Sequence, residues 1–275
     1  LDDFHTLSQT AGNFSLVFDG TSTGGFFRSK NSEGKYAKEF DSIAWGGDYT
    51  EAGPHQYRFY VPWDPQALKK VYAKAGLDMC EELVNTMTMS SAFHIGNYGS
   101  EIHEQTEMAA NCFGQFEFNN QPVHHMLYMF GGYDIDDSNN KAAPSYTQAC
   151  SQQGHKYLRR TLQELYQPGL DMFPGDEDNG QMSAWYLLSS MGLYNLSPGS
   201  PFYALGSPLH EQVTVFISAG VKLQITALNQ GPANVYVHAV HFNGELLTQG
   251  QIAYTELIKG GRLQFTMSDT AAKTA

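Results

Sequence analysis

After Pro201 the apolar residues of this chain fall into alternation. "EQVTVFIS" (211–218), "VKLQITAL" (221–228), "NVYVHAVHFNGELL" (234–247) and "RLQFTMS" (262–268) place apolar and polar side chains by turns. A period of two sends successive side chains to opposite faces of a strand, so such a stretch buries its apolar side by entering a sheet. The Asn243-Gly244 step inside the third run is a hairpin turn signal. Residues 201–275 are therefore expected to form a small antiparallel β-rich region.

Residues 1–200 have a different texture and read as mainly α: helices joined by long, aromatic, Gly-rich loops. The opening "LDDFHTLSQT" looks like the middle of a helix, and 16–49 has no sustained period. Asp64 is a natural N-cap and Pro65 a natural first helical residue, with Leu68, Val71 and Tyr72 following at helical spacing. A second helix is expected from Pro122 to about Phe130, and a third from about Ser145 to Tyr166. A fourth is expected from near Gly180 to Gly192, with Met182, Trp185, Tyr186 and Ser189 on one side.

An apolar fraction of 41% over 275 residues supports a real core. The formal net charge of -12 repels nucleic-acid phosphates and anionic membrane surfaces. Many aromatics (13%) with few charges (16%) suit a neutral, ring-shaped ligand such as a sugar. Cys80, Cys112 and Cys150 contain no CxxC pair; one disulfide could form, leaving one thiol over. Asn13-Phe-Ser and Asn195-Leu-Ser are glycosylation sequons, which matter in a secretory pathway. No stretch has the length of a membrane span and no signal peptide is visible.

Chemistry concentrates in three patches. In "FPGDEDNGQMSAWY" (173–186), Asp176, Glu177 and Asp178 stand in a row before an apolar run. One acid suffices to cap a helix, so three exceed what the dipole asks for. An EF-hand fails, because the twelfth residue from Asp176 is Leu187. Asp176 and Asp178, two apart, can share one cavity and one water, which is what a general base needs. The second patch, "WGGDYTEAGPHQYRFYVPWD" (45–64), sets Glu51 in a Gly-rich, aromatic loop, either as a solvated side chain or as an acid for a leaving oxygen. The third, "FNNQPVHHMLY" (118–128), offers amide carbonyls suited to a hard cation. Its His124 and His125 are adjacent and do not make a zinc pair at i, i+4.

Together these patches resemble the glycoside hydrolase family 92 α-mannosidases: a "WGGDYTE…QY…VP.D" loop, an "NQPVHH" helix start, then the long "PGDEDNGQMSAWY…GLY…PGSPFYALGSP" block and a "GGRLQFTMS" ending. The resemblance implies an exo-acting, inverting, Ca²⁺-dependent α-mannosidase with an N-terminal β-sandwich and an (α/α)6 barrel. Residues 1–200 would then be part of that barrel. Glu51 would be the general acid, and Asp176 and Asp178 would hold and activate the water. Asn120 and Gln121 would fall at the calcium step, and Trp45, His55, His124 and His125 would line the sugar site. The chain departs from the family in having Gln121 where a Glu is usual, and His55 where "EGNAWQY" has an aromatic residue. Those departures favour an alternative, a catalytically degenerate mannose-binding or structural subunit; the intact acid block opposes it. The resemblance covers only the C-terminal part of much longer members. A missing N-terminal portion or another chain is therefore the expected partner, besides a mannose-containing glycan, and a secreted, secretory-pathway or periplasmic location is expected.

Overall fold

The computed structural model describes residues 2–21, 23–37, 39–131 and 144–272. The chain divides into two compact units, Leu1–Met126 and Leu127–Ala275. The division follows packing rather than the change of texture at Pro201, because helix and strand residues share one core in the second unit.

The first unit is helical and rich in loops. Helix α1 (Asp2–Ala11) leads through a 3-10 turn to strands β1 (Phe18–Asp19) and β2 (Phe26–Phe27), which pair antiparallel. Then follow α2 (Pro54–Tyr57), α3 (Pro65–Lys74), α4 (Met79–Thr88) and α5 (His103–Asn111). Asp64 caps α3 by accepting the Ala67 N–H at 2.9 Å, with Pro65 at the first helical position as its sequence signalled. Leu68 and Tyr72 are the buried side of that helix, and Tyr72 stacks on Phe59 at 5.7 Å. Arg58 is buried here and tied down on every side. Its guanidinium donates to Gly24 O and Gly25 O, pairs with Glu82 at 3.0 Å and lies 4.3 Å over the Phe26 ring.

The short α6 (Met126–Met129) begins at the last residue of the first unit, and the second unit holds the longer α7 (Ala149–Glu164) and α8 (Gln181–Ser190). The helix expected from Pro122 to Phe130 is a 3-10 turn, Gln121–Val123, followed by α6: Pro122 starts a turn but the α-helical ladder begins only at Met126. The next expected helix is likewise interrupted at Gln148, whose extended backbone separates a 3-10 turn from α7.

Strands β3 (Leu193–Tyr194), β4 (Phe202–Leu205), β5 (Gln212–Ser218), β6 (Val221–Leu228), β7 (Tyr236–Phe242), β8 (Glu245–Leu246) and β9 (Gln251–Ala253) follow, then α9 (Tyr254–Leu257) and β10 (Gly261–Ser268). One sheet has the order β3-β4-β9 and the other β5-β6-β10-β7-β8. Asn243 and Gly244 turn β7 into β8 with positive φ of 51° and 91°, as the hairpin signal requires. The expectation of a purely antiparallel region needs one correction: β10 runs parallel to β6 while antiparallel to β7. Alternation reports which face is buried and says nothing about a partner's direction. Leu223, Ile225, Val237, Val240, Leu263 and Phe265 form the centre of the core.

α7 meets this sheet with polar side chains that satisfy the backbone around the start of β7. Gln152 donates to Val237 O, His155 accepts the Val237 N–H, and Arg159 donates to the carbonyls of Pro208, Gly231 and Asn234. Among the described residues no helix is long and apolar enough to cross a membrane.

Burial, reinforced by the nearby His238, pushes the His155 imidazole from 6.5 down to about 3. The unfolded chain takes up a proton there that the folded chain refuses. Stability is lost as pH falls from about 6.5 towards about 3, by up to about 1.4 kcal/mol per pH unit. Urea denaturation at neutral and mildly acidic pH should show the wild type losing more stability on acidification than His155→Gln. Equal losses would remove His155 as the source.

Candidate active site

In the first unit Glu51 is exposed and holds a left-handed backbone, φ 51°. A non-glycine residue there costs about 1–2 kcal/mol and persists when its surroundings over-determine it. The surroundings do so with hydrogen bonds. The Glu51 N–H donates to the Tyr98 hydroxyl at 2.6 Å, and the Asn120 amide donates to Glu51 O at 3.4 Å. Tyr57 donates to Thr50 O at 3.1 Å, and the Gly46 N–H to Ala52 O at 3.0 Å. Gln56, fully buried, accepts the Gly53 N–H at 2.8 Å and donates to Gln115 O at 2.8 Å. The Glu51 loop is thereby tied to the 113–120 segment.

An aromatic cavity of about 350 Å³ lies in the same unit, lined by Phe27, Asp48, Tyr49, Tyr57 and Tyr60 among others. Tyr57 belongs both to this cavity and to the hydrogen bonds of the Glu51 loop. Trp45 and His55, expected at the sugar, are packed in the core. Trp45 is 1% exposed, and its indole N–H has no partner among the described residues. His55 is 5% exposed and set edge-on to Phe26 at 4.9 Å; burial, with the Arg58 charge adding to it, pushes its imidazole down to about 3. His124 and His125 are buried too. His124 bonds Phe118 O at 3.2 Å through Nε2, and His125 bonds Phe59 O at 2.8 Å. Burial lowers His125 to about 4, so it is neutral at pH 7 and its Nε2–H is the donor.

The 117–121 segment carries the candidate cation ligands. Asn120 Oδ1 accepts the Gln121 N–H at 2.9 Å and thereby opens the 3-10 turn. Gln121 itself is half-buried. Glu117 lies just upstream, has no exposed surface and takes a side-chain hydrogen bond from Asn120. Burial pushes its carboxyl well above the usual range; the Asn120 side chain opposes this, and the charges of Glu104, Glu51 and Glu107 add to it. Asn119 donates to Glu104 O at 3.0 Å and to Glu107 Oε2 at 3.2 Å, while its own Oδ1 is buried without a partner. No three His, Cys, Asp or Glu side chains among the described residues are grouped to hold a metal. The available donors are carboxylate and amide oxygens, the set that fits Ca²⁺ rather than a softer ion.

In the second unit the three acids divide their labour. Glu177 caps α8: its Oε2 accepts the Gly180 N–H at 2.7 Å and its Oε1 the Ser183 N–H at 3.2 Å. Hydrogen bonds from the Ser183 side chain and from the Gly180 and Ser183 N–H groups hold its carboxyl below the usual range. Asp176 and Asp178 are exposed on either side of it. Asp178 has φ 55° and Asn179 φ 56°, a left-handed pair that turns the chain into the helix.

The structure thus brings together Glu51 and Asn120 in one unit and Asp176 and Asp178 in the other. Sequence reasoning missed Gln56, Tyr98, Glu117 and Asn119. The one usable signal was Glu117 itself, an acid between two phenylalanines in "QFEFNN".

The glycosyl hydrolase family 92 catalytic domain matches residues 1–269. The chain belongs to this family. Among solved structures it is similar to the GH92 α-mannosidase BT3965 of Bacteroides thetaiotaomicron in complex with mannoimidazole, with a TM-score of 0.79 and 26% identity over 98% of this chain and 33% of that one. It is likewise similar to the inverting GH92 mannosidase BT2199 of the same organism, with a TM-score of 0.73 and 31% identity over 97% of this chain and 34% of that one. The chain therefore spans about a third of the length of these relatives. No curated protein matches it.

Gln56→Leu keeps the bulk near Glu51 and leaves the Gly53 N–H and the Gln115 carbonyl without this partner. Chemical denaturation should show a loss of about 1–3 kcal/mol. Unchanged stability would mean that the bridge does not hold the loop.

Proposed function

We propose that this family 92 chain carries the acid and the base of an exo-acting, inverting α-mannosidase that removes terminal α-mannosides from glycans. One observation carries the assignment. Among the described residues, the only acids with positive φ are Glu51 and Asp178. These are the positions that the family pattern makes acid and base. Backbone in a costly region, held by surrounding hydrogen bonds, marks sites where a side chain is aimed.

In this reading Glu51 gives its proton to the leaving oxygen as the bond from that oxygen to the anomeric carbon breaks. Asp176 and Asp178 position a water, and one of them accepts its proton as the water oxygen bonds that carbon from the opposite face. Glu177 fixes the start of α8 and with it the backbone that presents the two aspartates. The aromatic cavity beside Tyr57 offers ring faces and the polar Asp48 to a sugar. Calcium, held by oxygens of the 117–121 segment with Asn120 and Gln121 as the residues implied by the family pattern, would polarise sugar hydroxyls. The helices are assigned to an (α/α)6 barrel that another portion of protein completes. α1 favours this, with no buried residue and Phe4 and Leu7 exposed at 68% and 67%. The reading carries with it a secreted or periplasmic location. The alternative, a degenerate mannose-binding subunit, draws support from Gln121, which lacks the charge of the usual Glu.

Glu51→Gln should slow hydrolysis of α-mannosides with poor leaving groups by about 10²–10⁴-fold and activated aryl mannosides far less, because only the former need the proton. Asp178→Asn should abolish both. Equal losses on the two substrate classes would remove Glu51 from the acid role. A wild-type protein that binds mannosides and cleaves neither would establish the degenerate alternative.

A further inference from the structure

The fold treats the two Asn-X-Ser sequons, Asn13-Phe-Ser and Asn195-Leu-Ser, in opposite ways. Asn13 is exposed, on the 3-10 turn Gly12–Val17 that follows α1. Residues three apart eclipse in such a turn. Phe14 and Val17 take the face that lines the aromatic cavity, and Phe14 sets its ring edge-on to Phe27 at 6.1 Å and to Trp63 at 6.3 Å. Asn13 and Leu16 share another face, and Leu16 is 62% exposed. The Asn13 side chain has no hydrogen-bond partner among the described residues. Ser15, also exposed, donates only to Gly12 O at 3.1 Å. Asn195 is half-buried and committed. Its Nδ2 donates to Ser200 O and to Phe202 O, each at 3.3 Å, and so closes the loop between β3 and β4. The Ser200 N–H donates to Ser197 O at 2.9 Å, which folds the second sequon into that loop. A carboxamide nitrogen carries two hydrogens, and at Asn195 both are in use.

We propose that Asn13 carries an N-linked glycan and that Asn195 does not. The inference rests on the secreted location of the proposed reading and goes beyond it. The donor is an oligosaccharide linked to a polyprenyl diphosphate. Asn13 Nδ2 bonds the anomeric carbon of that oligosaccharide as the bond from this carbon to the diphosphate oxygen breaks. The lipid diphosphate leaves with the electron pair, and the amide gives up one proton. The product is a secondary amide with one N–H. At Asn13 this costs the fold no hydrogen bond, and the exposed turn leaves the bulky sugar in solvent. At Asn195 it removes one of the two bonds that close the β3–β4 loop and forces a sugar into a half-buried position. Chains modified there would fold poorly, so the folded, secreted protein carries its glycan at Asn13 alone.

The test secretes the protein from a eukaryotic host behind a secretion signal, releases glycans with peptide-N-glycosidase in heavy-oxygen water and reads the peptides by mass spectrometry. Release converts a glycosylated Asn to Asp and leaves one heavy oxygen in it. Asn13 should carry that label, and Asn195 should remain Asn. Asn13→Gln and Ser15→Ala should each abolish the mass shift that the glycosidase causes in the wild type, and Ser15→Ala does so with Asn13 still in place. Protein from a bacterial host that attaches no such glycan reads the structural half. There Asn13→Gln should melt with the wild type, and Asn195→Ala at least about 2 °C lower. An unmodified Asn13 in the secreted protein, a glycan on its Asn195, or an Asn195→Ala variant as stable as the wild type would overturn the proposal. The host supplies the pathway and no readout uses mannoside hydrolysis, so the outcomes judge the two sequons apart from the proposed location and activity. A protein that cleaves no mannoside refutes the activity and leaves the Asn13 assignment standing.

Discussion

In the first unit the paired strands β1 and β2 are two residues long, so the backbone of its long loops has almost no ladder to join. Buried peptide groups must still be paired. Side-chain amides do it: Gln105 accepts the Ile102 N–H and donates to Ile95 O, Gln115 donates to Ser90 O and Ala92 O, and Gln56 links Gly53 to Gln115. Each of these amides is fully buried. They turn an aperiodic stretch into a fixed frame, and on that frame Glu51 can keep a backbone conformation it would not adopt alone. The geometry of the proposed acid thus depends on buried polar residues that have no part in the chemistry themselves.

The second unit solves the same problem with a sheet and one helix. The regular ladders of β5, β6, β10 and β7 satisfy themselves, and α7 satisfies what lies at their margin through Gln152, His155 and Arg159. At the turn into α8, Glu177 does the capping. Three adjacent acids in "GDED" therefore do not compete for one role. The middle one accepts two N–H groups, and the outer two are exposed. The charge cluster that looks excessive for a cap is a cap with one carboxylate set to either side.

What could be read from the residues followed from local chemistry. Asp64 and Pro65 announced α3, Asn243-Gly244 announced the β7–β8 hairpin, and alternation announced β5, β6, β7 and β10. What could not be read depended on distant partners. The parallel placement of β10 beside β6 leaves no trace in alternation. A helix over α7 is expected from the sequence, but the hydrogen bonds that Gln152, His155 and Arg159 make to distant backbone leave no trace in the spacing. Trp45 and His55, which the resemblance implies for the sugar site, are buried, Trp45 against Phe93 and His55 against Phe26. Glu117 carries no motif beyond the two phenylalanines that flank it, and its full burial shows only in the structure.

The proposed hydrolysis turns on two carboxylate sites with different tasks, Glu51 giving a proton and the Asp176/Asp178 pair taking one from water. If water attacks from the face opposite the leaving group, the first sugar released has inverted configuration. Proton NMR of the anomeric region during hydrolysis of an α-mannoside, recorded before mutarotation, reads this directly. β-Mannose is the expected first product. α-Mannose appearing first would contradict the proposed roles, because one of the aspartates would then have acted as a nucleophile rather than as a base.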